Sequence, residues 1–302
     1  MSSVPTESER KGKKNRGKRG GNAQRANRIM APTLTTRAPY IDSHVHIDNI
    51  LMKAGRTMDE YRDMVVKEKL FGEGLVAVIN VCCAPTNLYT CDFLAATFPD
   101  MMYSAWGVHP HDAAVYTEAL GQEIYKRVTT LPNAVAWGEI GLDYFYDKSP
   151  REAQREVFAK QLRLAVTTGK PVVIHSRDAD DDTYTVLREN VPADYPLHLH
   201  CFTNDPEWGY KMLAAFPNLY VGLTGAVTFI DRLKEFARRV DLGRLLLETD
   251  GPFMAPAPYR GSLSHPGLIP TVADCIAKLR GCTMEEVMDN ALKNTKKLYN
   301  LK

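Results

Sequence analysis

Eight short apolar runs punctuate this chain, and longer stretches of helical period lie between them. The runs are YIDSHVHI (40–47), LVAVINVC (75–82), MYSAWGV (102–108), AVAWGEIG (134–141), PVVIHS (171–176), LHLHCF (197–202), LYVGLT (219–224) and LLLETD (245–250). Short runs that stay apolar throughout are the mark of strands buried on both faces of a parallel sheet. The segment SPREAQREVFAKQLRLAVTTG (149–169) typifies the helical stretches. Ser149 is placed to cap it, Pro150 suits its first turn and Gly169 ends it, while Phe158, Leu162 and Val166 share one face. Eight such units in about 260 residues predict an α/β fold of the (β/α)8 TIM-barrel type, closed or somewhat distorted. An open doubly wound sheet is disfavoured. No Gly-rich phosphate loop follows the first run, where His44 and His46 stand instead.

Charge separates the barrel from what precedes it. Residues 1–38 carry ten Lys or Arg against two Glu, and the remainder 28 basic against 34 acidic residues. The run RKGKKNRGKRGG (Arg10–Gly21) has no hydrophobic residue with which to build a core. The expected division is therefore a disordered basic tail over 1–38 and a barrel over 39–302. The tail suits nuclear localisation or non-specific phosphate contact, and a nuclear and/or cytoplasmic protein is expected. No apolar run approaches the roughly 18 residues of a membrane helix, so no membrane association is expected. Six cysteines without a C-x-x-C spacing fit a reduced compartment, and no obligate protein partner is evident.

The polar residues are placed as a barrel enzyme would place them. Active sites of this fold lie at the carboxyl ends of the strands. Seven of the eight histidines fall at or just past the ends of the runs: His44, His46, His109, His111, His175, His198 and His200. Glu139, Glu248 and Asp250 share those positions. Imidazoles with a few carboxylates make a divalent-metal site, and two ions about 3.5–4 Å apart suit hydrolysis of a phosphate ester or an amide. Such a pair needs a bridging carboxylate, for which Glu139, midway along the chain of strands, is the natural candidate.

The motifs DSHVHID, GVHPH, GEIGLDY, PVVIHSRDA, HCFT and LLLETDGPF occur in this order. Together they resemble the TatD family of metal-dependent deoxyribonucleases, most of all its eukaryotic TatD-domain-containing members, from residue 40 to about 300. The resemblance implies a distorted TIM barrel of the metal-dependent hydrolase type. It implies metal ligands at His44, His46, Glu139, His175, His200 and Asp250, holding two divalent ions, Mg²⁺ or Mn²⁺ with Zn²⁺ as the alternative. The implied reaction is hydrolysis of nucleic acid, DNA above all, from the 3′ end. Two departures stand out: Asn204 follows HCFT where the family usually has Gly, and Gly251 replaces Ala in ETDAP.

Other residues carry open roles. His109 is placed to meet the scissile phosphate or the leaving oxygen, or to brace a ligand. Arg177 suits a phosphate oxygen or a structural ion pair, and Asp178 suits an N-cap. Asp250 can act as general base as well as ligand, with Glu139 between the ions. Glu248 and His198 lie one layer deeper and are expected to support the ligands. Tyr144, Phe145, Tyr146, Phe202 and Trp208 can stack on bases or pack as lids. Arg260 and His265 can touch a phosphate or close a loop. Three rival readings remain: a small-molecule amidohydrolase or lactonase, a nuclease of RNA or RNA–DNA hybrids, and a tail-mediated nucleic-acid binder. No lysine directly follows the fourth run, which disfavours the carbamylated bridge of many amidohydrolases.

Overall fold

The computed structural model describes residues 27–302, so the basic run Arg10–Gly21 and the expectation of disorder there lie outside the described residues. Eight parallel strands follow one another in order around a nearly closed barrel. They are β1 (Tyr40–Val45), β2 (Leu75–Cys82), β3 (Met102–Trp106), β4 (Ala134–Asp143), β5 (Val172–Arg177), β6 (Leu197–Leu199), β7 (Leu219–Leu223) and β8 (Leu245–Leu247). Each expected run overlaps one strand, and β4 and β5 continue past their runs to Asp143 and Arg177. The largest shortfalls are at β6 and β8, each three residues long and three short of its run, with positive φ at Cys201 and Asp250 just beyond them.

Strand alternation divides the apolar residues into two layers. Ile79, Val81, Val173, Tyr220 and Leu246 form one buried cluster with Tyr299 from the last helix, Met284–Tyr299. Trp106, Trp137, Ile174, Leu197, Leu199 and Leu247 belong to the larger cluster that includes Phe158 and Leu162 of the helix Arg151–Thr168. Continuing the inward alternation up each strand leads from Val81 to Cys83, from Val173 to His175, and from Leu246 to Glu248 and Asp250. The same parity that fills the barrel therefore aims the polar residues at its open end. Gly222 leaves room for one of them, since a Cβ there would lie 2.5 Å from the Glu248 carboxyl.

The helix Arg151–Thr168 ends at Gly169, in left-handed conformation, as expected. Its start differs. Pro150 occupies the cap position, and Ser149 instead donates to the His111 carbonyl and accepts from the Ala114 N–H. Residues 27–38 also depart from the expected division, because part of this segment is laid against the loop after β8. The Leu263 N–H donates to the Arg28 carbonyl, His265 meets the Met30 carbonyl, and the Thr33 N–H donates to the Tyr259 hydroxyl. No described helix is long and apolar enough to cross a membrane.

Candidate metal centre

The barrel closes at the residues that carry its chemistry. The Asp250 N–H donates to the His44 carbonyl at 3.0 Å, and the His46 N–H to the Gly251 carbonyl at 2.8 Å. Fixing this seam brings His44, His46 and Asp250 to one point: His44 Nε2 and His46 Nε2 stand 3.3 Å apart, and Asp250 Oδ1 lies 3.8 and 3.5 Å from them. His46 Nδ1–H donates to the Val81 carbonyl, which leaves the Nε2 lone pair facing inward.

Glu139 approaches from the opposite wall, on β4. Its two oxygens face different groups. Oε2 lies 3.5 Å from His44 and 3.6 Å from His46, whereas Oε1 lies 2.7 Å from His175 Nδ1, 2.6 Å from His200 Nε2 and 3.5 Å from His109 Nε2. Gly141 makes this placement possible. Its register partner is His175, and a Cβ at Gly141, which also has positive φ, would collide with the His175 carbonyl.

Burial and charge act against each other here. Burial alone would raise the Glu139 carboxyl, but His200, His109 and His175 outweigh it and hold it well below the usual carboxylate range. Burial is likewise outweighed at Asp250, which is lowered by His46, His200 and His44. His175 is pushed up to about 9: burial opposes the rise, and Asp143 and Glu139 overcome it. His44, fully buried beside other imidazoles, falls to about 3, and burial takes His109 down to about 4.

Supporting groups surround the centre. His175 Nε2 is 3.2 Å from Asp143 Oδ2, which also receives His111 Nε2 at 2.9 Å. The Asp143 backbone is held by Gln154, which accepts its N–H and donates to its carbonyl. Glu248 accepts the Cys201 N–H and lies 2.9 Å from His198 and 3.9 Å from His200. His198 Nδ1 is bonded to the Tyr299 hydroxyl at 2.7 Å. Both thus occupy the deeper layer expected of them, with no Arg or Lys partner for Glu248 among the described residues.

Above the centre opens a cavity of about 560 Å³ lined by His109, His111, Tyr146, Arg177 and Phe253 among others. Arg177 lies over the rings of Phe145 and Tyr146, at 4.1 and 4.8 Å, and both rings are more than half exposed. Around this rim the structure decides between roles left open above. Phe202 and Trp208 are buried in the main core, with the Trp208 Nε1–H on the Asp180 carbonyl, so neither offers a face to a base. Asp178 has positive φ and does not cap the helix Asp180–Asn190, which starts without a side-chain cap. His265 is buried against Met30, and Arg260 stacks on Phe229 at 3.7 Å. Cys83, Asp143 and His111 reach the centre without an assigned role in the sequence reading. Asp143 was readable by alternation from Glu139, four residues earlier on the same strand.

The donor set fits a cation. Ligands about 2.1 Å from a tetrahedral ion stand about 3.4 Å apart. The edges that join His44 and His46 to each other, to Glu139 and to Asp250 run from 3.3 to 3.8 Å. The profile of the TatD related DNase family matches residues 41–300. The chain belongs to the TatD family. It is 38% identical over 204 residues to the metal-dependent hydrolase YabD of Bacillus subtilis, covering 67% of this chain and 79% of that one. It is 34% identical over 270 residues to the human 3′-5′ RNA nuclease TATDN2, covering 87% of this chain but 35% of that protein. The chain thus spans about a third of the human relative's length. The crystal structure of the TatD homologue YjjV from Escherichia coli superposes with a TM-score of 0.77 at 25% identity, covering 88% of this chain and all of that one. This TatD chain is accordingly a metal-dependent hydrolase with a nuclease among its relatives.

Proposed function

We propose that this protein is a divalent-metal-dependent nuclease that hydrolyses phosphodiester bonds with two ions, acting on DNA from the 3′ end. The observation that carries it is the orientation of Glu139. One carboxylate oxygen faces His44 and His46 and the other faces His175 and His200, as a bridge between two neighbouring cations requires. The first ion would be held by His44, His46, Glu139 and Asp250, and the second by Glu139, His175 and His200. When bound there, Mg²⁺, Mn²⁺ or Zn²⁺ would supply positive charge to acidify a water and to neutralise the phosphate.

The remaining roles belong to side chains. Asp250, beside His44 and His46, is placed to take the proton of the attacking water. His109, whose Nε2 is 3.5 Å from Glu139 Oε1 and which lines the cavity, is our proposed donor to the leaving oxygen. Arg177 presents a planar cation on the cavity wall for a phosphate oxygen, while Phe145 and Tyr146 present ring faces to a base.

RNA is the second reading, favoured by the name of the human relative. The deciding experiment is degradation of end-labelled single- and double-stranded DNA, RNA and RNA–DNA hybrid, with and without chelator, alongside Glu139→Ala. Metal-dependent shortening of labelled DNA from its 3′ end, abolished in the variant, is the expected result. Full activity in Glu139→Ala would sink the assignment, and cleavage of RNA alone would move the substrate to the second reading. Hydrolysis of ester or amide substrates without bis(p-nitrophenyl) phosphate would favour an amidohydrolase.

A further inference from the structure

Cys83 is not used by the reaction above, yet its sulfur stands inside the metal centre. It follows β2 at the position to which inward alternation leads, and it is 7% exposed. Sγ lies 3.8 Å from Glu139 Oε2, and Sγ, a Glu139 oxygen and a ring nitrogen of His46 all lie within 4.8 Å of one another. The His46 ring is committed through Nδ1 to Val81, so it is Nε2 that faces the thiol and the carboxylate. Metal–ligand lengths of about 2.3 Å to sulfur and 2.1 Å to oxygen place those two ligands about 3.8 Å apart when they subtend the roughly 120° equatorial angle of a five-coordinate ion. The observed separation is 3.8 Å. The Cys83 carbonyl accepts the His109 N–H at 2.9 Å, which fixes the strand end carrying the sulfur.

We propose that Cys83 is a further, soft ligand to the ion held by His44, His46, Glu139 and Asp250, and that it gives this site a preference for thiophilic divalent cations of the Zn²⁺ and Cd²⁺ class. The inference rests on reading the cluster as a metal centre. On binding, the S–H bond is broken, a sulfur–metal bond forms and the proton passes to solvent. Mg²⁺ and Mn²⁺, which take oxygen and imidazole donors, gain little from the thiolate, whereas Zn²⁺ and Cd²⁺ gain much. One structure would therefore accept both kinds of ion but hold the soft kind longer.

The test uses the full chain stripped with chelator and titrated with Co²⁺ and Cd²⁺, with bound metal measured directly. Wild type is expected to develop a thiolate-to-metal charge-transfer absorption. Cys83→Ser should bind the metals without that band, and Cys201→Ser, altered at another thiol lining the cavity, should keep it. By calorimetry, Zn²⁺ affinity should fall roughly 10- to 100-fold in Cys83→Ser while Mn²⁺ affinity stays within about twofold. Metal bound by wild type without the band, or a band that survives in Cys83→Ser, overturns the role of Cys83 and leaves the metal centre standing. A wild-type protein that binds none of these ions overturns both.

Discussion

Asp42 and Thr249 fasten the first strand of the barrel to the end of the last: the fully buried carboxyl of Asp42 accepts both the Thr249 N–H, at 3.0 Å, and the Thr249 hydroxyl. It also accepts the His44 N–H at 3.3 Å. One side chain thus serves donors from both edges of the seam, immediately below His44 and Asp250. Replacing it by Ala strands three buried donors, each costing about 1–3 kcal/mol. Asp42→Ala is expected to lower stability by roughly 3 kcal/mol or more and to weaken metal binding, with Asp42→Asn milder on both counts. Thermal unfolding and metal calorimetry on the pair check this; unaltered values in Asp42→Ala would show that the seam does not depend on the contact.

Glu248 predicts a different separation of effects. It sits beneath His200 and beside His198, and burial pushes its carboxyl up to about 8. Outer-layer groups that orient metal-binding imidazoles typically contribute 10- to 100-fold in affinity. Glu248→Gln preserves shape and the carbonyl that accepts the Cys201 N–H. Its expected signature is a loss of metal affinity of about that size with near-normal unfolding behaviour. Equal affinity in the variant would make Glu248 a core residue only.

How much of this was readable beforehand follows from what each feature depends on. The eight strands were legible because a parallel barrel must make its runs apolar on both faces. A cluster of imidazoles and carboxylates at the strand ends was legible from their placement alone, and the family resemblance singled out His44, His46, His175, His200, Glu139 and Asp250 among them. What escaped depends on backbone direction beyond the strand. Asp178 reads as a cap until positive φ turns it away, and Phe202 and Trp208 read as rim aromatics until the chain folds them inward. Asp42 escaped for the opposite reason. A carboxylate two residues before His44 shares its face, yet only the closing of the barrel supplies Thr249 as its partner. Residues 28–33 lack the periodicity of an element and are held by long-range contacts to 259–265, which no local pattern announces.

Arg177 and Phe145 form a stacked pair on the rim, 4.1 Å from guanidinium to ring centre, with the Phe145 side chain still more than half exposed. A base stacked on an aromatic contributes about 1–3 kcal/mol. Phe145→Ala is therefore expected to raise KM for a single-stranded oligonucleotide by roughly 5- to 100-fold. Turnover of bis(p-nitrophenyl) phosphate, which carries no nucleobase to stack, should stay near wild type. Steady-state kinetics on both substrates decide the matter, and equal losses on the two would show that Phe145 shapes the centre rather than the nucleic-acid path.

His265 supplies a pH dependence remote from the metal centre. Its ring is buried, Nδ1 accepts the Gly267 N–H and Nε2 donates to the Met30 carbonyl at 2.8 Å. Burial pushes it down from 6.5 to about 4, only partly opposed by the bond to Met30. In the unfolded chain the imidazole binds a proton below about 6.5, whereas the folded protein resists that proton until about pH 4. The unfolded state therefore holds more protons across this window, and stability rises with pH through it. The contribution is complete above about pH 6.5 and lost as pH falls toward 4, about 3 kcal/mol in all. His265→Asn, which keeps an acceptor for Gly267, should flatten the dependence by about one proton. Urea unfolding at intervals between about pH 4 and 7 measures it, and parallel profiles for variant and wild type would place the titrating group elsewhere.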